Sequence, residues 1–494
     1  DIITAKTTVS IYPTAQDITY DSDNGMVLNG STVDILVHGK QDQATLPKVQ
    51  QLLKKNGYTY QFVEKIGTNP VVVLANDCDN ECVICDSVKD NQKALEKKQG
   101  YVMNISNDEH KSGQITIIGS DEDGVYYGVM SLLQVFEQKT EDNHLAEITV
   151  SDYPDVEFRG YVEGFYGFPW TFEERASLFE DTSKYKMTTY IYAPKDDIYH
   201  RDEWRKLYPA EKAKHISDLV NVAKENNMDF CWTIHPAADY NFNADSGDYE
   251  TLIKKFEQVY DLGVRQFGIF YDDLDLSIAD GKKHAKLIND VYQYLDEKYG
   301  DVKPFITVTS RYNNSWGGDW VKYFTPFMKT VHPDTIVLWT GQHTMSAITK
   351  DYFETPKKKT GVDRDLGVWW NYPVTDYCYG KLLMGSLDIL DTDVDNINSF
   401  FLNPMSEADA SKVTIFSGAD YAWNTGTFDS ISSWKRSIKE LVPEAHEEFE
   451  RFADNISYID LPERKSGFKF EESQYLKEDL DKFENALKYG DNFK

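Results

Sequence analysis

FGIFYDDLDLS, residues 267–277, runs from apolar and aromatic residues into the adjacent carboxylates Asp272 and Asp273. The run before the pair reads as a buried strand, too short and too apolar for an amphipathic helix. Outward from it, six more strand-like runs have the same character: EFRGYVE (157–163), TTYIYA (188–193), FCWTIH (230–235), PFITVT (304–309), TIVLWT (335–340) and LGVWWN (366–371). KVTIFS (412–417) is taken as the eighth. Helical periodicity fills most gaps, as in KAKHISDLVNVAKENN (212–227), YETLIKKFEQVYDLG (249–263) and HAKLINDVYQYLDEKYG (284–300). Strands alternating with helices in this number predict an α/β fold, a (β/α)8 TIM barrel.

The flanks read differently. VDILVHGK (33–40), LPKVQQLLKKNGY (46–58), NPVVVLAN (69–76) and QITIIGSDEDGVYYGVMSLLQVFEQ (114–138) alternate strand and helix, which predicts a small α/β domain over residues 1–150. The barrel then covers 151–432. Residues 433–494 read as a helical region, with WKRSIKELVPEAHEEFERFADNI (434–456) and QYLKEDLDKFENALKYG (474–490) as its helices.

In a barrel of this class, side chains at the C-terminal strand ends converge on one rim. The expected rim here carries EGFYGFPW (163–170), APKDD (193–197), HPAADYN (235–241), DDLD (272–275), SRYNNSW (310–316), TGQH (340–343), WNYPVTD (370–376) and ADYAWN (419–424). Aromatic faces beside Asn, Asp and Lys suit a sugar ring and its hydroxyls.

The formal charge of −30 disfavours nucleic acid and anionic membranes as partners, since both call for clustered Lys and Arg. No apolar run is long enough to insert in a membrane. Five cysteines are too few for a disulfide scaffold. CDNECVIC (78–85) has metal-like spacing, but no second ligand pair follows at a zinc-site distance, so Cys78, Cys82 and Cys85 read as free or paired thiols of a loop in preference to a metal site. The first residues carry no leader pattern.

Neighbouring strand residues face opposite sides, so Asp272 and Asp273 reach one pocket only where strand geometry ends. Crowded carboxylates resist joint ionisation, which is expected to raise one of them and keep a proton available. A solvated turn or a Ca²⁺ or Mg²⁺ site is the alternative for this acidic run. Most glycosidases place two carboxylates on opposite sides of the scissile bond. An adjacent pair fits substrate-assisted hydrolysis instead, in which a 2-acetamido oxygen attacks its own anomeric carbon.

RGYVEGFYGFPW, YIYAPKDD, FYDDLD, YNNSW, WTG, WWNYPVTDY and NPM together resemble glycoside hydrolase family 84, the bacterial and animal O-GlcNAcases, some bacterial members of which are labelled hyaluronidases. The resemblance covers roughly residues 30–450. It implies a retaining exo-β-N-acetylglucosaminidase working through an oxazoline intermediate, without cofactor or metal. Its partner would be a glycan or glycoprotein bearing terminal β-linked N-acetylglucosamine. It implies an N-terminal domain like the one preceding family 20 barrels, and a bacterial protein, secreted or on the cell surface.

By motif, Asp272 resembles the residue that polarises the acetamido group and Asp273 the general acid/base, with Tyr312 helping to hold that group. Gly164, Lys195, Asn371, Asp376 and Asn403 resemble hydroxyl-binding residues. Tyr166, Thr340, Trp369 and Trp423 resemble pocket walls. Ala193, Arg311, His343 and Thr344 depart from the pattern and bear on aglycone preference. Three rival readings stand beside this one: a family 20-type β-hexosaminidase, whose pair is Asp-Glu; a non-catalytic carbohydrate-binding barrel; and a metal-dependent hydrolase, for which His235 and His343 are isolated.

Overall fold

The structure is a computed structural model. It describes residues 8–76, 91–108, 110–275, 277–315, 319–457 and 474–490. The CDNECVIC cysteines and Trp316 lie outside the described residues.

The first strands are β1 (Asp17–Tyr20), β2 (Thr32–His38), β3 (Thr59–Val63), β4 (Val71–Asn76), β5 (Tyr101–Ser106), β6 (Gln114–Gly119) and β7 (Ile148–Asp152). They form one sheet in the order β1-β7-β5-β6-β4-β2-β3. VVVLAN of β4 and QITIIG of β6 are buried throughout, as central strands covered on both faces should be. The sheet also holds β1, β3, β5 and β7, which the sequence reading did not single out. The helix Glu122–Glu137 lies on this sheet, its start fixed by Asp121, whose carboxylate accepts the Gly124 N–H at 2.8 Å.

The barrel strands are β8 (Phe158–Glu163), β9 (Thr189–Tyr192), β10 (Asp229–Ile234), β11 (Gln266–Ile269), β12 (Ile306–Val308), β13 (Ile336–Trp339), β14 (Gly367–Pro373) and β15 (Ser399–Asn403). They pair in parallel and close, with β15 returning to β8. The lumen is filled by alternating inward residues, among them Val162, Ile191, Cys231, Ile306, Leu338, Trp369 and Phe401. Strand alternation also separates two adjacent tryptophans. Trp369 joins the lumen, while Trp370 joins the outer layer and donates to the Ser346 carbonyl at 2.9 Å. Gly160 lets β8 and β9 approach closely, since a Cβ there would meet the Thr189 carbonyl oxygen at 1.8 Å.

The eighth strand is not KVTIFS. Residues 412–417 lie inside the helix Ala408–Trp423, and the strand is SFFLN, 399–403. The helix is buried from Ser411 to Trp423, covered by β8, β15 and the helices Phe172–Lys184 and Ser430–Leu441. A helix covered on all sides needs no polar face, so its Val-Thr-Ile-Phe run carries strand propensity and no helical period. The β14–β15 connection, residues 374–398, holds no helix. Downstream helices span Ser430–Leu441, His446–Ile456 and Gln474–Tyr489. Among the described residues no helix is long and apolar enough to cross a membrane.

Candidate active site

The β11 ladder carries the chain to the dyad and stops. Phe270 N–H still bonds the Ile234 carbonyl at 2.8 Å and Tyr271 N–H the Val308 carbonyl at 3.0 Å. Two residues later Asp273 has φ of +59°, in the left-handed region. Alternation fails there, and both Asp272 and Asp273 line one cavity of about 370 Å³ at the C-terminal ends of the strands.

Asp272 is the deeper acid. Its Oδ2 is 3.6 Å from Lys195 Nζ and its Oδ1 3.6 Å from His235 Nε2. Burial pushes this carboxyl up, but Lys195, then His235 and Arg201, pull harder, and it ends at about 2. The expected crowding of one carboxylate by the other is therefore not what governs Asp272; the Lys195 ammonium, the largest influence opposing burial, holds it ionised. Asp273 faces two phenols. Tyr312 donates to its Oδ1 at 2.9 Å and Tyr166 to its Oδ2 at 3.3 Å. Burial and the Asp273 charge both raise the Tyr312 phenol, so it stays a donor.

The remaining sequence candidates fall around this pair. Gly164 packs against the Trp369 ring, where a Cβ would come within 3.0 Å of it. Trp369 donates to Asn371 Oδ1 at 2.8 Å, and Asn403 donates to the same oxygen at 3.0 Å. Asn371 in turn donates to the Thr344 carbonyl at 2.7 Å. This ties the ends of β14 and β15 to the β13 loop. Asn403 reaches the site because it ends the true eighth strand, and its buried Oδ1 has no hydrogen-bond partner. Asp376 accepts the Tyr166 N–H at 3.0 Å, so it braces the opposite loop. Lys195 Nζ sits 4.9 Å from the Tyr166 ring centre. Thr340 lines the cavity; its N–H donates to the Tyr312 carbonyl at 2.8 Å and its hydroxyl to the His343 carbonyl at 2.8 Å, which fixes the two loops.

Trp423 does not belong to the pocket. It sits, fully buried, among the core residues of the N-terminal sheet. Its Nε1 donates to Asp152 Oδ1 at 2.8 Å, and Arg159 and Lys186 stack on its ring at 4.9 and 4.6 Å. Placing the eighth strand at 412–417 put this tryptophan on the rim; in the structure it ends the following helix, beside the sheet.

His343 and Thr344 line the cavity, with Ser315, Met345, Val374 and Tyr377, which the sequence reading did not single out. Arg311 turns aside and donates to the Ser310 carbonyl at 2.8 Å. His235 also went unassigned; its signal was a histidine directly after an apolar barrel strand. Among the described residues no cluster of three or more His, Cys, Asp or Glu could hold a metal ion.

A family model described as beta-N-acetylglucosaminidase matches residues 159–454, and a model of glycosyl hydrolase family 20 domain 2 matches residues 8–153. Protein O-GlcNAcase of Rattus norvegicus and of Mus musculus are each 32% identical over 271 residues, 52% of this chain. The chain spans 29% of the length of these curated relatives. The solved structure of CpGH84D superposes with a TM-score of 0.88 at 33% identity, covering 98% of this chain and 80% of that one. CpGH84B gives 0.83 at 30% identity, covering 98% and 82%. A mutant O-GlcNAc hydrolase of Thermobaculum terrenum gives 0.60 at 25% identity, covering 68% and 73%. With a site built on an Asp-Asp pair and these likenesses along almost its full length, the chain belongs to glycoside hydrolase family 84.

Proposed function

We propose that the chain is a retaining exo-β-N-acetylglucosaminidase that removes terminal β-linked N-acetylglucosamine by substrate-assisted hydrolysis. The observation that carries this reading is the pairing of two consecutive carboxylates in one cavity, with Asp272 held ionised beside Lys195. An ionised Asp272 accepts a hydrogen bond from the acetamido N–H and stabilises the positive charge growing there. The acetamido oxygen attacks the anomeric carbon as the bond to the leaving oxygen breaks. Asp273, when protonated, delivers its proton to that oxygen. Its carboxylate then takes a proton from the water that opens the oxazoline, so configuration is retained.

Tyr312 stands where it orients Asp273 and meets the acetamido group as the ring closes. Asn371, Asn403 and Asp376 line the same cavity as the dyad, which supports their reading as hydroxyl-binding residues, and the unpartnered Asn403 oxygen suits a hydroxyl donor. The relatives named O-GlcNAcase support a glycan or glycoprotein as substrate. The resemblance supports a bacterial enzyme, secreted or surface-bound, acting without a metal.

The test is release of p-nitrophenol from its β-N-acetylglucosaminide beside the matching β-glucoside, with and without EDTA. Turnover of the acetamido sugar alone, indifferent to EDTA, is expected. Equal turnover of the glucoside, or loss of activity to EDTA, would overturn the reading.

A further inference from the structure

His235 holds the peptide on which the dyad turns. It follows β10, is 2% exposed, and its backbone N–H donates to the His200 carbonyl at 2.8 Å. Its Nε2–H donates to the backbone carbonyl of Asp272 at 2.6 Å. A carbonyl only accepts, so the bond requires the tautomer with hydrogen on Nε2. That carbonyl belongs to the peptide joining Asp272 to Asp273. The sheet ladder has already ended at Tyr271, so it does not orient this peptide. One residue on, Asp273 adopts the left-handed conformation, which among L-residues is entered mainly by Asn and Asp and which a fixed neighbouring peptide helps to hold.

A second observation points the same way. The His235 Nδ1 is buried without a hydrogen-bond partner. A buried polar atom left unsatisfied is costly, so the ring is kept there for what its other nitrogen does. Burial lowers the His235 pKa, which favours the neutral ring with Lys195 nearby. We propose that His235 is a positioning residue of the dyad: its Nε2–H fixes the Asp272–Asp273 peptide, and that fixed peptide is what brings two adjacent carboxylates into one cavity.

The proposal uses the hydrolase reading for its kinetic test only; a structural test stands apart from it. In a crystal structure of His235→Leu, residue 273 should leave the left-handed region. A residue 273 still near its present φ would overturn the proposal, whatever the enzyme hydrolyses. In kinetics, misplacing the acid should lower kcat/KM about 100-fold for β-N-acetylglucosaminides with poor leaving groups. The loss should be smaller for the 2,4-dinitrophenyl glycoside, which needs no proton. His235→Gln, whose amide N–H can reach the same carbonyl, should restore most of the activity; His235→Asn, one carbon shorter, should not. These two variants carry the test if the leucine variant does not fold. Unchanged kcat/KM in His235→Leu, equal losses on both substrates, or equal activity of the Gln and Asn variants would overturn the positioning role.

Discussion

Lys195 Nζ stands 3.6 Å from Asp272 Oδ2, and this one cation is the largest influence opposing the burial of that carboxylate. Burial alone would raise Asp272 above its ordinary value of 3.8; with Lys195, His235 and Arg201 it falls to about 2. A carboxyl depressed on folding adds stability above its unfolded pKa and loses it as pH falls through the folded value. The Asp272 contribution should therefore be complete above about pH 4 and fade towards pH 2, amounting to about 2 kcal/mol. Urea unfolding at stepped pH in wild type and Asp272→Asn should show this difference only above that window.

If the proposed roles hold, the same pair should set the acid limb of activity. In Lys195→Met the burial of Asp272 is no longer opposed by its main cation, so the limb of kcat/KM that depends on ionised Asp272 should move to higher pH. A pH–rate profile on an activated aryl glycoside measures it. An unmoved limb would mean that Asp272 is not the group whose charge the reaction needs.

Asp273→Asn and Asp272→Asn should differ in kind. Loss of the proton donor should cost about 10²- to 10⁴-fold on substrates with poor leaving groups and much less on 2,4-dinitrophenyl glycosides. Loss of the acetamido partner should depress both alike, because ring closure weakens whatever departs. Exchange of these two patterns would exchange the roles.

Tyr312→Phe removes the 2.9 Å bond to Asp273 Oδ1. Hydrogen bonds to charged groups contribute about 1.5–3 kcal/mol, so kcat should fall about 10- to 100-fold while the fold stays intact. Steady-state kinetics beside a thermal melt separates the two effects.

Trp423→Ala should injure stability rather than catalysis. It removes a fully buried ring, leaves Asp152 without one donor and takes one of two stacking partners from each of Arg159 and Lys186. A loss of about 3–5 kcal/mol is expected from denaturant unfolding, with KM unchanged in the folded protein. A raised KM would return this residue to the pocket.

Trp423 also shows where the sequence misleads. The first seven barrel strands are legible because each is an apolar run and most are separated by amphipathic helices, and a helix with one wet face shows its period. The helix Ala408–Trp423 has no wet face, so its β-branched run imitates a strand. SFFLN, which follows an acidic loop with no amphipathic helix before it, gives a weaker signal. The site was legible at most ends of correctly placed strands, as for Asp272, Lys195, Tyr312 and Asn371. Asn403 was found through its motif although its strand was misplaced. His235 was not found, because its role lies in one bond to a backbone carbonyl, and sequence does not show where a carbonyl points.

The central claim is that the substrate supplies its own nucleophile, and it is tested most directly by replacing the acetamido methyl hydrogens with fluorine one at a time. Each fluorine withdraws electrons from the carbonyl oxygen and weakens its attack, while the glycosidic bond and leaving group stay the same. Across the p-nitrophenyl β-glycosides of the acetamido, fluoroacetamido, difluoroacetamido and trifluoroacetamido sugars, kcat/KM should fall steeply at every step. A flat series would mean that an enzyme carboxylate or water attacks the anomeric carbon, and would contradict the roles given to Asp272 and Asp273.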